Sequence, residues 1–255
     1  MLTFKHITIF FILLFVGSAV LGMFVTFTYL WYFALITAYL LFVGYGSFTM
    51  SSNFFLKAFT ANKSTKEKVV ALTFDDGPHP EYTPFVLQLL KNHKATATFF
   101  CIGRQVEKYP EIVNEIKIAG HTIGNHTYSH SIGIDFNSTQ SWIEEIKQTN
   151  QVIQKIIGEE VSLFRPPYGV TTPHLAKAIE YTRHKVIGWN IRSFDKGISD
   201  PEVILKRIKK QLKPGGIILL HDTHINAPYI LEHLLVFLRK LGYKTVSVNQ
   251  LLDEK

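Results

Sequence analysis

Apolar positions dominate the start of the chain without a break: from Ile7 to Leu56 no side chain is charged. A bilayer-spanning helix needs ~20 mostly apolar residues, so this run holds two. Ile7–Val25 reads as the first helix. Tyr29–Phe48 reads as the second, with Tyr29, Trp31, Tyr32 and Tyr45 near its ends as interfacial anchors. The uncharged link Thr26–Thr28 predicts a tight hairpin. The competing reading is a signal peptide cut near Ser18, Ala19 and Gly22, but the apolar run that follows it would still hold the protein in the membrane.

The pattern changes after a short polar linker, residues 61–68. The chain therefore divides into an anchor over 1–60, the linker, and a globular domain over 69–255. Within the domain, short β-rich apolar runs recur at Val69–Phe74, Ala95–Ile102, His121–Gly124, Val161–Phe164, Lys185–Trp189, Gly216–Leu220 and Tyr243–Val248. Helical patterns separate them at Pro84–Lys91, Pro110–Ala119, Gln140–Ile157, Pro173–Tyr181, Pro201–Leu212 and Tyr229–Leu241. Asp200-Pro201 is a good helix start, and Pro214-Gly215-Gly216 a clean stop. Seven strands alternating with helices mean a parallel α/β sheet, open or closed into a barrel.

Composition narrows the class. Of 255 residues, 47% are apolar and 18% charged, too apolar for a disordered chain or an ordinary soluble domain. A single cysteine, Cys101, excludes a disulfide framework and a multi-cysteine zinc site within one chain; inside an apolar strand it reads as core. The net charge of +7 is scattered and does not argue for nucleic acid as a partner. Lys5 precedes the two spans, and Lys57, Lys63, Lys66 and Lys68 follow them. Two spans return the chain to its starting side, and the basic flanks favour a cytoplasmic-facing domain. Large domains translocate despite their charge, so the membrane side stays open.

The unusual polar residues sit where the strands end, which is where chemistry sits in α/β sheets and barrels. The first strand runs into Thr73-Phe74-Asp75-Asp76-Gly77-Pro78. The third leads to His126-Thr127-Tyr128-Ser129-His130, the fourth to Arg165-Pro166-Pro167-Tyr168-Gly169, the fifth to Asp195 and the sixth to His221-Asp222. A turn at Gly77-Pro78 brings both neighbouring carboxylates to one cavity, and a cation or an arginine must offset them. His126 and His130 are spaced i, i+4, which on one helical turn points both imidazoles the same way. With an aspartate from another strand end they make a two-histidine, one-carboxylate site that leaves positions open for water and substrate.

In order and spacing, Thr73-Phe74-Asp75-Asp76-Gly77-Pro78, His126-Thr127-Tyr128-Ser129-His130, Arg165-Pro166-Pro167-Tyr168 and Leu219-Leu220-His221 resemble the motifs of the polysaccharide deacetylases, the NodB-type domain of carbohydrate esterase family 4. The resemblance covers about residues 66–250. It implies a distorted (β/α)7 barrel preceded by two transmembrane helices, in keeping with the seven runs counted above. It implies Asp76, His126 and His130 as ligands of a divalent metal, most often zinc. Asp75 would be the general base acting on the attacking water, and His221 the general acid for the leaving amine. Arg165 resembles the arginine paired with the base, and Asp195 the aspartate that tunes the acid. The Tyr168 backbone N–H matches the oxyanion donor, and Leu219 the residue lining the pocket for the acetyl methyl.

Two positions depart from the family pattern. Lys196 follows Asp195 where tryptophan is common, and Arg192 stands where many members carry an aspartate. The positive pair would suit an anionic sugar or a phosphate-bearing carrier; as ordinary loop charges both would be solvated. Trp189 is a candidate replacement for the missing wall. His79 reads as an exposed loop residue, Asp222 as a local hydrogen-bonding group, and His224 is unassigned. The expected activity is metal-dependent removal of N-acetyl groups from amino sugars of a polysaccharide or cell-wall glycan by a membrane-anchored hydrolase. The rivals are a deacylase of a lipid-linked sugar at the cytoplasmic membrane face, an O-acetyl esterase on a glycan such as xylan, and a non-catalytic glycan-binding protein. The expected partners are an N-acetylated glycan or glycolipid and the lipid bilayer.

Overall fold

The computed structural model describes residues 3–253. Helices α1 (Phe4–Leu21) and α2 (Tyr29–Phe48) form an antiparallel hairpin, with Phe15 against Tyr32 and Phe11 against Tyr39. Both are long and apolar enough to cross a membrane, and most of their large side chains face outward. The first helix stops at Leu21, short of the expected Val25, so the connection runs over residues 22–28 rather than three residues.

The sheet starts earlier than the expected domain boundary. Strand β1 (Ala58–Phe59) pairs parallel with β6 (Lys185–Ile187), and Met50 is buried in a core cluster with Trp142, Phe164 and Val186. Residues 61–68, expected as a linker, begin against the sheet: Ala61 bridges Gly216, and the buried Asn62 amide donates to the Leu251 carbonyl at 2.8 Å. A two-residue strand carries too little periodicity to be read from the sequence.

The remaining elements are β2 (Val69–Asp75), α3 (Tyr82–Asn92), β3 (Ala97–Cys101), α4 (Gly103–Lys108), α5 (Pro110–Ile118), β4 (Thr122–Asn125), α6 (Thr139–Ile157), β5 (Leu163–Phe164), α7 (Pro173–Thr182), β7 (Ile191–Arg192), α8 (Pro201–Gln211), β8 (Gly216–His221), α9 (Ala227–Lys240), β9 (Lys244–Thr245) and α10 (Val248–Asp253). Each of the seven expected runs contains a strand; β1 and β7 are additional. Among the described residues the strand order is β1-β6-β5-β4-β3-β2-β8-β7, with β9 pairing with the start of β2, and every pairing is parallel. The result is a curled half-barrel whose ends are β1 and β7. Helix starts follow the sequence cues: Asp200 accepts from the Glu202 N–H ahead of Pro201, and Thr172 from the Leu175 N–H ahead of Pro173.

Alternation along the strands separates two cores. Val70, Leu72 and Phe74 of β2 and Ile218 and Leu220 of β8 face outward and pack with α3, α5, α8 and α9. Val69, Ala71 and Ile217 face inward with Phe100, Leu163 and Ile187, and Val248 and Leu251 of α10 join them. Fully burying one such Leu, Ile or Phe contributes about 1.5–3 kcal/mol. The inward face then changes character along the strands. On β2 it passes from Ala71 through Thr73 to Asp75, and on β8 from Ile217 through Leu219 to His221. An apolar floor therefore supports polar groups at the carboxyl end of the curl.

Candidate active site and metal centre

Asp75 ends β2 with its side chain inward, in register with His221 on the adjoining β8. Asp76 would point away from it on a continued strand. Instead its φ of 73° turns the chain, and its carboxylate joins the same cavity. Of the eight described non-glycine residues with positive φ, five (Asp76, Thr127, His130, Tyr168 and Phe194) lie in loops at this end of the sheet. Such conformations cost of order 1–3 kcal/mol each and persist only where the surroundings hold them.

His126 and His130 converge, but not on a helix. The segment between them is a loop, with positive φ at Thr127 and His130, so the helical turn expected from the i, i+4 spacing is not formed. Glu145 of α6 holds the loop in place: its carboxylate accepts from the backbone N–H of Tyr128 and of Ser129, each at 2.8 Å, and from the Ser129 hydroxyl at 2.7 Å. Asn125 adds a bond from the Thr127 N–H at 2.8 Å. His126 Nδ1 lies 2.7 Å from the Arg165 carbonyl. A carbonyl only accepts, so Nδ1 carries a proton and Nε2 is the ring nitrogen turned to the cavity.

His126 Nε2 is 3.4 Å and His130 Nε2 3.2 Å from Asp76 Oδ1, and one ligand atom from each residue lies within 4.8 Å of the others. Burial pushes the Asp76 carboxyl up, but its bond to His126 and the charges of His126, His130 and His221 outweigh this and hold it well below the usual range. Burial and the neighbouring His126 push His130 down to about 4. These residues fit a metal. A tetrahedral ion with bonds of about 2.0 Å separates its ligands by about 3.3 Å, the donors are one carboxylate and two imidazoles, and the His126 tautomer is fixed by the Arg165 carbonyl.

Two further pairs flank the cluster. Arg165 is fully buried, and burial lowers its pKa despite the Asp75 charge that raises it. Its Nη1 donates to Asp75 Oδ1 at 2.7 Å and to Thr73 Oγ1 at 2.8 Å, Nε to the Ile187 carbonyl and Nη2 to the Gly188 carbonyl, with its plane over Phe100. On the other side, His221 Nδ1 is 2.8 Å from Asp195 Oδ1. Asp195 Oδ2 also accepts from the His221 backbone N–H at 2.8 Å and lies 3.2 Å from His224 Nε2, and the Ser193 hydroxyl donates to Oδ1. Burial would lower His221, but its bond to Asp195 and the Asp195 charge raise it. The His221 Nε2 faces Asp76 Oδ2 at 3.9 Å.

Tyr168 adopts φ 58° and sets its ring edge against His130, centroids 4.9 Å apart. Leu219 is buried on the inner face one pleat below His221 and in register with Thr73. Lys196 donates to Asp76 Oδ2 at 2.6 Å, so this departure from the family pattern reaches the cluster itself. Thr73, Glu145, Ser193 and His224 were not singled out as site residues by sequence reasoning. Thr73 meets Arg165, Glu145 the backbone of Tyr128 and Ser129, and His224 Asp195 only through folding, whereas Ser193 binds Asp195 two residues on in its own loop. Asp222 is fully buried and accepts from Thr83 at 2.5 Å; burial pushes it up to about 7.

Residues 62–187 match the family model described as polysaccharide deacetylase. A peptidoglycan-N-acetylglucosamine deacetylase of Bacillus cereus is 37% identical over 195 residues, 74% of this chain and 90% of that protein. The peptidoglycan-N-acetylmuramic acid deacetylase PdaA of Bacillus subtilis is 32% identical over 196 residues, 75% of this chain and 74% of the relative. The structure of the peptidoglycan deacetylase PdaC of Bacillus subtilis superposes with a TM-score of 0.69 at 34% identity, covering 74% of this chain and 91% of that one.

Proposed function

The chain belongs to the polysaccharide deacetylase family, and from that premise we propose that it removes N-acetyl groups from amino sugars of a cell-wall glycan. We further propose that it works with zinc held by Asp76, His126 and His130. The observation that carries the reading is the flanking of this cluster by Asp75, backed by Arg165, and by His221, backed by Asp195. When bound, the metal supplies Lewis acidity, polarising the amide carbonyl and acidifying water.

The chain's own residues do the rest. Asp75, oriented by its bond from Arg165, takes the proton from the attacking water as general base. His221, with Nδ1 fixed by Asp195, holds a proton on Nε2 and gives it to the departing nitrogen, without which an amide does not release its amine. The Tyr168 backbone N–H faces the developing oxyanion. Leu219 lines the pocket for the acetyl methyl. Asp75 and His221 are neighbours across one strand spacing, about 4.8 Å, so base and acid lie within reach of one amide group.

We read α1 and α2 as a membrane anchor, residues 4–48, and place the catalytic unit from Met50 onward. A second reading, a sugar carried on a lipid in the same membrane, is favoured by one contact: the N–H of Thr171, three residues after Tyr168, donates to the Ser47 carbonyl at the end of α2 at 3.0 Å. Acetate release from peptidoglycan fragments, chitin oligomers, acetylated xylan and lipid-linked amino sugars, with and without added zinc, tests the proposal. Asp76→Ala and His126→Ala should abolish release. Full activity in either variant would refute the metal assignment, and release from xylan alone would replace the amide reading with an ester one.

A further inference from the structure

The end of α2 forms one wall of a cavity that opens beside the active site. It encloses about 160 Å3 and is lined by Phe48, Thr49, Met50 and Ser51 on one side and by Tyr168, Gly169, Trp189 and Arg192 on the other. Tyr168 belongs both to this cavity and to the His130 contact, and Trp189 lies over the guanidinium of Arg165, so the cavity adjoins the catalytic cluster directly. Gly169 is the residue that allows this approach: at φ 71°, a Cβ there would stand 2.4 Å from the Trp189 ring.

Arg192 is the charged group of the cavity. Its guanidinium lies 4.3 Å from the Phe194 ring centroid and 5.6 Å from that of Trp189. Arg207 also lies 4.3 Å from the Phe194 ring, and its Nε donates to the Arg192 carbonyl at 3.0 Å. Two guanidinium groups thus share one aromatic ring, and among the described residues neither is paired with a carboxylate. The other departure from the family pattern, Lys196, is already paired with Asp76. Like charges gathered without a counter-ion repel, and an anion supplied from outside relieves that repulsion. The planar guanidinium fork matches carboxylate and phosphate oxygens, and Thr49 and Ser51 bring hydroxyl groups to the opposite wall.

We propose that this cavity is a subsite for an anionic substituent of the substrate, held by Arg192 with Arg207 adding to the local field, while the acetamido group lies at the Asp76 cluster. The inference rests on the deacetylase reading only for where the acetamide sits; the anion site stands on the cavity and the unpaired guanidinium of Arg192 in its wall. The anion has two chemical sources: the phosphate joining an amino sugar to a lipid, or the carboxylate of an acidic sugar in the glycan. Phe48 and Met50 in the wall, at the end of an apolar helix, favour the phosphate of a lipid-linked sugar.

The test uses full-length protein in detergent micelles. Calorimetry compares binding of N-acetylglucosamine, N-acetylglucosamine 1-phosphate and N-acetylmuramic acid to the unaltered protein, Arg192→Gln and Arg192→Lys. The expected result is at least a tenfold preference for one anionic sugar over the neutral one, lost in Arg192→Gln and partly kept in Arg192→Lys. Which anion wins identifies the source. Equal binding of all three sugars, or a preference that survives Arg192→Gln, would overturn the proposal. Kinetics on chitotetraose and on a prenyl-phosphate-linked N-acetylglucosamine separate this from the function itself. Loss of the KM advantage of the anionic substrate in Arg192→Gln supports the subsite. Acetate release from chitotetraose with no anion preference removes the subsite and keeps the deacetylase. An Arg192-dependent anion preference with no acetate release from any substrate does the reverse.

Discussion

Arg165 Nη1 donates to Asp75 Oδ1 at 2.7 Å from a guanidinium with no exposure to solvent, and the other bonds of the fork go to Thr73 and two backbone carbonyls. Breaking a buried pair from one side leaves an uncompensated charge and costs about 3–5 kcal/mol. Arg165→Met should lower stability by that amount and lose acetate release. Arg165→Lys restores the charge but not the four-way bonding, so its thermal midpoint and activity should stay well below those of the unaltered protein.

The Asp195–His221 pair predicts a pH effect. Asp195 raises the pKa of His221, so the protonated acid survives to higher pH than an ordinary histidine would allow. In Asp195→Asn that support is gone, and the alkaline fall of kcat/KM should begin at lower pH. An alkaline limb that does not move would show that His221 is not the group titrating there.

Metal binding should depend on all three proposed ligands. Chelation should remove activity and added zinc restore it. His130→Ala removes a ligand itself, so it should weaken zinc binding by more than the about 10–100-fold that losing an outer partner costs, read by competition with a chromophoric chelator.

Lys196 competes for Asp76 with any bound cation. Its side chain is half exposed, and exposed pairs contribute only about 0.2–1 kcal/mol. Lys196→Ala should therefore tighten zinc binding by at most about fivefold in the same competition assay. Weaker binding would mean that Lys196 orients the carboxylate instead.

Far from the site, His121 sits at the start of β4 against Phe99, with both ring nitrogens buried and unpartnered. Burial lowers its pKa to about 4, so the folded protein disfavours its protonation. Its contribution to stability is complete above pH 6.5 and is lost as pH falls toward about 4. The loss is about 1–2 kcal/mol after discounting for partial exposure. His121→Phe should flatten the melting temperature over that window relative to the unaltered protein.

The residues that gather at the carboxyl end of the curl were legible in the sequence because they cluster in short motifs at the ends of apolar runs. The runs themselves were legible because β2, β3 and β8 are buried on both faces and so read as continuous apolar segments. What could not be read was how the loops turn. Asp75 and Asp76 share a cavity because Asp76 itself takes a left-handed conformation, and His126 and His130 converge through a loop clamped by Glu145 rather than through a helix. Both devices depend on contacts between distant segments. The same holds for β1, too short for a pattern, and for His224, which matters only because folding places it on Asp195.

The pairing of β1 with β6 and the burial of Met50 bear on how the enzyme can be cut for study. A soluble fragment starting at residue 61 or 69 would strip one border strand from the curl and leave its neighbour's hydrogen-bonding edge bare, an invitation to self-association. It would also remove the wall that Phe48 to Ser51 give to the cavity beside Tyr168. A fragment meant to report faithfully on substrate choice has to retain the last turn of the second apolar helix, with detergent to cover it.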